Sequence, residues 1–143
     1  MRSLEDDYRR YAELKNKMMK EQNSTELESL RVRYQELLAE VRTAGKGYGN
    51  ILRLYSSMKR RGNESIDITD ASDYHGEAEI VALLKAYGCD HFTFSSTCSN
   101  GALSAWKFLE AGAKLDGMMM IKSEECDFET EEYIEKPAYL FRI

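Results

Sequence analysis

The spacing of apolar residues changes at Gly62-Asn63, and that change constrains the fold of this chain more than any other feature. Before it, apolar side chains recur every three or four residues, the period of a helix face. After it, Ser65-Ile-Asp-Ile-Thr-Asp70 and His91-Phe-Thr-Phe-Ser-Ser96 alternate in twos, the period of a half-buried strand. A helical N-terminal part followed by a mixed α/β part is the architecture this order implies.

The helical part has two seams, Leu4, Tyr8, Tyr11, Leu14, Met18 and Leu27, Leu30, Tyr34, Leu37, Val41, the second with the three-and-four spacing of a coiled-coil stripe. Nine residues separate Met18 from Leu27, a rotation of about 900° at roughly 100° per residue, so one continuous helix would carry the seams on opposite faces. A break near Asn23-Ser24 removes the conflict, and Thr25 with Glu28 forms a capping box after it. A helical hairpin is the preferred reading of residues 1–44, with a single long helix as the alternative. The glycines of Gly45-Lys46-Gly47-Tyr48-Gly49 then make a hinge, and a helix from about Asn50 carries Ile51, Leu52, Leu54, Tyr55 and Met58 inward, so residues 45–62 form a second segment.

Residues 63–143 read as βαβαββ. Helices are expected over Glu77–Tyr87 and from a Ser99 or Asn100 cap through Leu103, Trp106, Phe108 and Leu109, each closed by a glycine. Strands are expected over Leu115–Ile121 and, behind Pro137, over Ala138–Ile143, joined by a long acidic loop. The fold class is therefore α/β, with α+β as the alternative: a helical arm or hairpin and a small four-stranded mixed sheet, parallel in its core with an antiparallel final pair.

Charge is segregated along this order. Residues 1–42 carry 9 basic and 9 acidic side chains, 43–62 carry 5 basic and none acidic, and 63–143 carry 6 basic and 16 acidic. No apolar run approaches the roughly 18 residues of a membrane span, which predicts a cytoplasmic protein with no membrane partner. Cys89, Cys98 and Cys126 form no CxxC pair, and the two histidines sit in no ligand spacing, so neither a metal nor a cofactor is expected.

Three constellations remain as candidate sites. Ser95, Ser96, Thr97, Ser99 and Asn100 run off a predicted strand into a helix N-terminus, where open α/β sheets bind ligands, and His75 with Asp70 or Asp73 belongs to the same sheet edge. A Cys98–His75 pair would be the one nucleophile and base within reach there. Lys59, Arg60 and Arg61 form a basic cluster suited to phosphate or to an acidic protein, although lysine and arginine at a helix C-terminus also complement its dipole. Glu124, Glu125, Asp127, Glu129, Glu131 and Glu132, punctuated by Phe128 and Tyr133, form an acidic segment able to imitate nucleic-acid phosphates toward a basic partner, or simply to solvate a loop. The glycine-lysine loop at residues 45–49 lacks the preceding strand and the terminal Lys-Ser/Thr of a phosphate loop.

Asn63-Glu64, Ile66-Asp67, His91-Phe-Thr-Phe-Ser-Ser96, Ala105-Trp106, Gly117, Asp127-Phe128, Glu132-Tyr133 and Lys136 through Arg142 together resemble a family of short proteins carried by bacterial plasmids, phages and related mobile elements. The resemblance covers roughly the last 80 residues. A Trp is common in that family where this chain has Cys98, so no shared nucleophile is implied there, and no activity or functional residue carries over. By association, small acidic proteins of mobile elements include inhibitors of host defence such as anti-CRISPR proteins. The function expected is non-enzymatic: a protein-interaction protein whose partner is a Cas nuclease or another basic nucleic-acid-binding protein, with a homodimer also open. A small ligand-binding domain or enzyme at Ser95–Asn100, and a weak nucleic-acid binder at Lys59–Arg61, are the alternatives.

Overall fold

A computed structural model describes residues 2–69, 71, 76–95 and 101–143 of the 143-residue chain. It divides into two compact units, Met1–Arg53 and Leu54–Ile143.

In the first unit α1 spans Leu4–Lys20 and α2 spans Ser24–Thr43, separated by the short break that the seam phases require. Ser3 caps α1 by accepting from the Asp6 N–H, and Glu5, Asp6 and Asp7 in the first turn with Lys17 and Lys20 in the last complement the helix dipole. The cap of α2 is Asn23, whose Oδ1 accepts from the N–H groups of Thr25 and Glu26 at 3.0 and 3.2 Å. Thr25 is thus already inside the helix, which starts two positions earlier than the capping-box pattern implies. The helices pack as an antiparallel hairpin: Leu4, Leu14, Leu30, Leu37 and Val41 are buried, the Tyr11 and Tyr34 rings lie 5.6 Å apart, and Arg10 reaches Glu40 at 2.8 Å. Gly47 turns the chain with φ 74°, a region that glycine enters without strain, and α3 (Tyr48–Arg61) begins at once. The Tyr48 ring is buried, and its hydroxyl donates to the carboxylate of Asp7, which Arg2 also holds at 2.6 Å.

The second unit is built on a four-stranded sheet in the order β1-β2-β4-β3, with β1 Ile66–Asp67, β2 His91–Phe94, β3 Lys114–Cys126 and β4 Tyr133–Arg142. β1 and β2 are parallel and every other neighbouring pair is antiparallel, so the sheet is mixed as expected, but β4 inserts between β2 and β3 and confines parallel pairing to one edge. α4 (Glu77–Ala86) follows β1 and α5 (Gly101–Glu110) follows β2. One sheet face is aromatic: Phe92 stacks on Phe141 at 5.2 Å, and Phe108 from α5 meets Phe92, Phe94 and Phe141 at 5.1 to 5.5 Å. The opposite face takes the end of α3, where the buried Arg61 donates to the Lys122 carbonyl at 3.1 Å and lies 3.7 Å from Asp67. Among the described residues no helix is long and apolar enough to cross a membrane.

Candidate functional site

The loop expected between Ile121 and Ala138 is mostly sheet, with Glu124 and Glu125 on β3 and the other four acids of the segment in the turn. β3 continues to Cys126 and β4 starts at Tyr133, so the acids lie along and around the end of a two-stranded ribbon. Its turn is closed by its own atoms. The Asp127 N–H donates to the Glu132 carbonyl and the Glu131 N–H to the Asp127 carbonyl, each at 2.8 Å, while Asp127 Oδ1 accepts from the Glu129 N–H at 2.8 Å. Glu131 completes the turn at φ 60°, a left-handed conformation that a side chain adopts at a cost. Below the turn, Lys136 pairs with Glu125 at 2.7 Å across the ribbon, and Ser57 Oγ donates to Glu124 at 3.1 Å. Phe128 stands at the apex with 100% of its side chain exposed, inside a stretch from 124 to 132 that holds six acidic residues and no basic one.

A second apolar surface lies on the α5 side of the sheet. Register pairs Leu115 with Phe141, Met118 with Tyr139 and Met120 with Pro137, which places these side chains on the face that carries the phenylalanine cluster. Beyond the reach of α5 that face is open: Leu115, Met118, Met120 and Tyr139 are exposed. On α5 itself only Phe108 among the large apolar residues is buried; Leu103, Leu109 and Trp106, the last 60% exposed, point away from the core. The sequence places all four on this helix without saying which face is covered, because a helix apolar on several sides does not reveal it.

The remaining sequence candidates fare differently. His75, Ser96, Thr97, Ser99 and Asn100, with Cys98, Asp70 and Asp73, lie outside the described residues. Ser95 is described, and both its groups are engaged: its N–H donates to Thr69 Oγ1 at 2.9 Å and its hydroxyl to the Pro137 carbonyl at 2.8 Å. The basic cluster is not a surface triad. Arg61 is 3% exposed, bonded to the Ser57 and Lys122 carbonyls and beside Asp67, so only Lys59 and Arg60 stay on the surface, with Lys59 over the Tyr55 ring and Arg60 near Ser57. Burial raises the pKa of Asp67 despite bonds from Thr69 and Thr93 and the charge of Arg61, which marks a polar tie inside the sheet layer.

One constellation was not anticipated: Ser65 Oγ lies 2.8 Å from His91 Nδ1, and His91 Nε2 lies 3.6 Å from Asp90. It resembles a hydrolytic triad in composition, but Ser65 is buried and among the described residues its hydroxyl meets the histidine alone, as a structural tie at the N-terminal ends of β1 and β2. The signal missed was long-range pairing, since Ser65 and His91 are brought together only by the β1–β2 register. Among the described residues no group of histidine, cysteine and carboxylate side chains could hold a metal. Cys126 is an exposed thiol at the ribbon end, and Cys89 is half-buried with its pKa raised by burial and by Asp90.

No curated protein matches the chain, and no solved structure does. Residues 50–143, from within α3 to the end of the sheet, match the model of a domain of unknown function, DUF7698, while the α1–α2 hairpin lies outside the match. The chain belongs to the DUF7698 family.

Proposed function

We propose that this protein acts by binding another protein, and that the β3–β4 hairpin tip is the element that docks, entering a basic nucleic-acid-binding groove of a larger partner. A Cas-type defence nuclease is the first candidate, and inhibition by occupying the groove is the mode. The observation that carries the reading is Phe128, fully exposed at the apex of an internally bonded turn and flanked by six carboxylates. An aromatic ring held in water contributes nothing to folding and has most to gain from burial in a partner. The surrounding carboxylates supply the charge that a groove built for phosphates selects, and they steer the encounter. The ligand-site alternative has less behind it, because Ser95 already spends both of its polar groups within the fold.

The test is capture of a guide-loaded Cas9-type nuclease from bacterial lysate by the tagged protein, read with a DNA-cleavage assay. Stoichiometric capture with loss of cleavage is the expected result, and Phe128→Ala should abolish both. Retention of no nuclease together with undiminished cleavage would exclude this partner class; capture unaffected by Phe128→Ala and by Glu129→Lys would exclude the tip.

A further inference from the structure

β3 is an edge strand, and the way its edge is protected leaves one gap. At Lys122 the edge is closed by Asn63, whose amide mimics a neighbouring strand: its Nδ2 donates to the Lys122 carbonyl and its Oδ1 accepts from the Lys122 N–H, both at 2.9 Å. Because Lys122 turns its main chain outward, the alternation of an antiparallel ladder turns the main-chain groups of Met120 and Met118 outward as well. Pro137, opposite Met120, fits this phase: its carbonyl faces the β2 side, where Ser95 takes it, and its missing N–H is no loss to the β3 ladder. At the other end, the bulge between Leu115 and Gly117 interrupts the strand, with Gly117 at φ 119° and Asp116 turned to Arg142. Among the described residues the open edge is therefore the short window from Met118 to Met120. It lacks the lysine or proline that usually guards an exposed edge, and its Met118 and Met120 side chains are themselves exposed.

We propose that this window is a homodimer interface, in which a second copy of the chain pairs its own β3 antiparallel across a two-fold axis at Met119. The register follows from the two stops. Centring the axis on Met119 sets Met118 of each copy against Met120 of the other. Centring it on Met120 drives Met118 onto the position that Asn63 occupies, and centring it on Met118 sets Met120 against the bulge and Lys114 against Lys122. The charges agree with the same axis. The strand reads Lys114-Leu-Asp116-Gly-Met-Met-Met-Ile-Lys122-Ser-Glu124, so a two-fold at Met119 brings Asp116 of one copy beside Lys122 of the other and turns each Lys114 end toward the opposite Glu124. Four methionine side chains then gather on the α5 side, continuous with Leu115 and Tyr139 of each copy, and cover apolar surface that the single chain leaves in water. Asn63 stops the pairing from propagating, so the assembly closes at two.

Sedimentation equilibrium of the full chain in the micromolar range is expected to give twice the 16.5 kDa chain mass. Lys122→Glu puts like charges at two symmetric positions and should raise the dimer dissociation constant at least about tenfold, and adding Asp116→Lys should restore it. Met119 faces its own copy in a non-hydrogen-bonded pair with a Cα separation of about 4.5 Å, a geometry that admits a disulfide. A Met119→Cys variant in a Cys126→Ser background should crosslink under copper-phenanthroline, with the 119–119 peptide found by mass spectrometry. A wild-type chain that remains monomeric throughout that range overturns the proposal. So does a dimer that neither responds to Lys122→Glu nor crosslinks through position 119.

Discussion

Asp7 shows how much one residue can tie together. It is 3% exposed on the buried face of α1 that also carries Leu4 and Leu14, and it receives Arg2, Arg10 and the Tyr48 hydroxyl, joining the start of α1 to the start of α3. Asp7→Ala strands a buried hydroxyl and a guanidinium, and should cost about 2–3 kcal/mol in chemical denaturation followed by far-ultraviolet circular dichroism. Tyr48→Phe removes one donor and keeps the Arg2 pair, and should cost about 1 kcal/mol. Glu131 presents the opposite case, since its left-handed φ of 60° is held by the turn. Glu131→Gly relieves that strain and should stabilise the second unit by up to about 1 kcal/mol, read as a rise in melting temperature, while removing one of the tip charges. Neither environment is visible in the local sequence, because both depend on partners or on a backbone angle that the neighbouring residues impose.

At the scale of elements, the helical hairpin couples stability to pH. Burial first, and then the hydrogen bond and charge of Tyr11, push Tyr34 up to about 12; burial and the Asp7 carboxylate raise Tyr48 as well. A tyrosine whose folded pKa lies above its unfolded value of about 10 holds its proton more tightly when folded. Its stabilising effect is complete below pH 10 and is lost as pH rises toward 12. Helical signal against pH should therefore fall in that window together with the tyrosinate absorbance, and Tyr34→Phe should shift the loss to higher pH. The β3–β4 ribbon behaves differently: Phe128→Ala should leave the melting temperature unchanged, within the effect of about 0.5 kcal/mol usual for an exposed site, while removing partner capture. The hairpin was legible because its two seams clash in phase unless the chain breaks. The ribbon was not, because strands exposed on both faces show no alternation, and their charged ends read as loop.

Over the whole molecule the charge is divided between the units: residues 1–53 hold 11 basic and 9 acidic side chains, and residues 54–143 hold 9 and 16. Partner capture through the tip should weaken steeply with added salt. Glu129→Lys with Glu132→Lys should flatten that dependence, whereas Phe128→Ala should lower affinity by a similar factor at every salt concentration, a contrast measurable by titration calorimetry. What the sequence by itself determined is the content of each segment: the helices, the change of period at Gly62-Asn63, a mixed four-stranded sheet and an acidic stretch with a phenylalanine at its centre. These follow from local backbone periodicity, which a single segment carries within itself. Only the tertiary structure decided that β4 lies between β2 and β3, and that order had several consequences. It made β3 an edge, left Met118 and Met120 uncovered and, with the β3–β4 pairing, lengthened the acidic loop into a ribbon, while the β1–β2 register joined Ser65 to His91 and the end of α3 carried Arg61 into the interior. Coverage of a face is set by which elements become neighbours, and neighbours distant in the chain are chosen by the packing of the whole sheet.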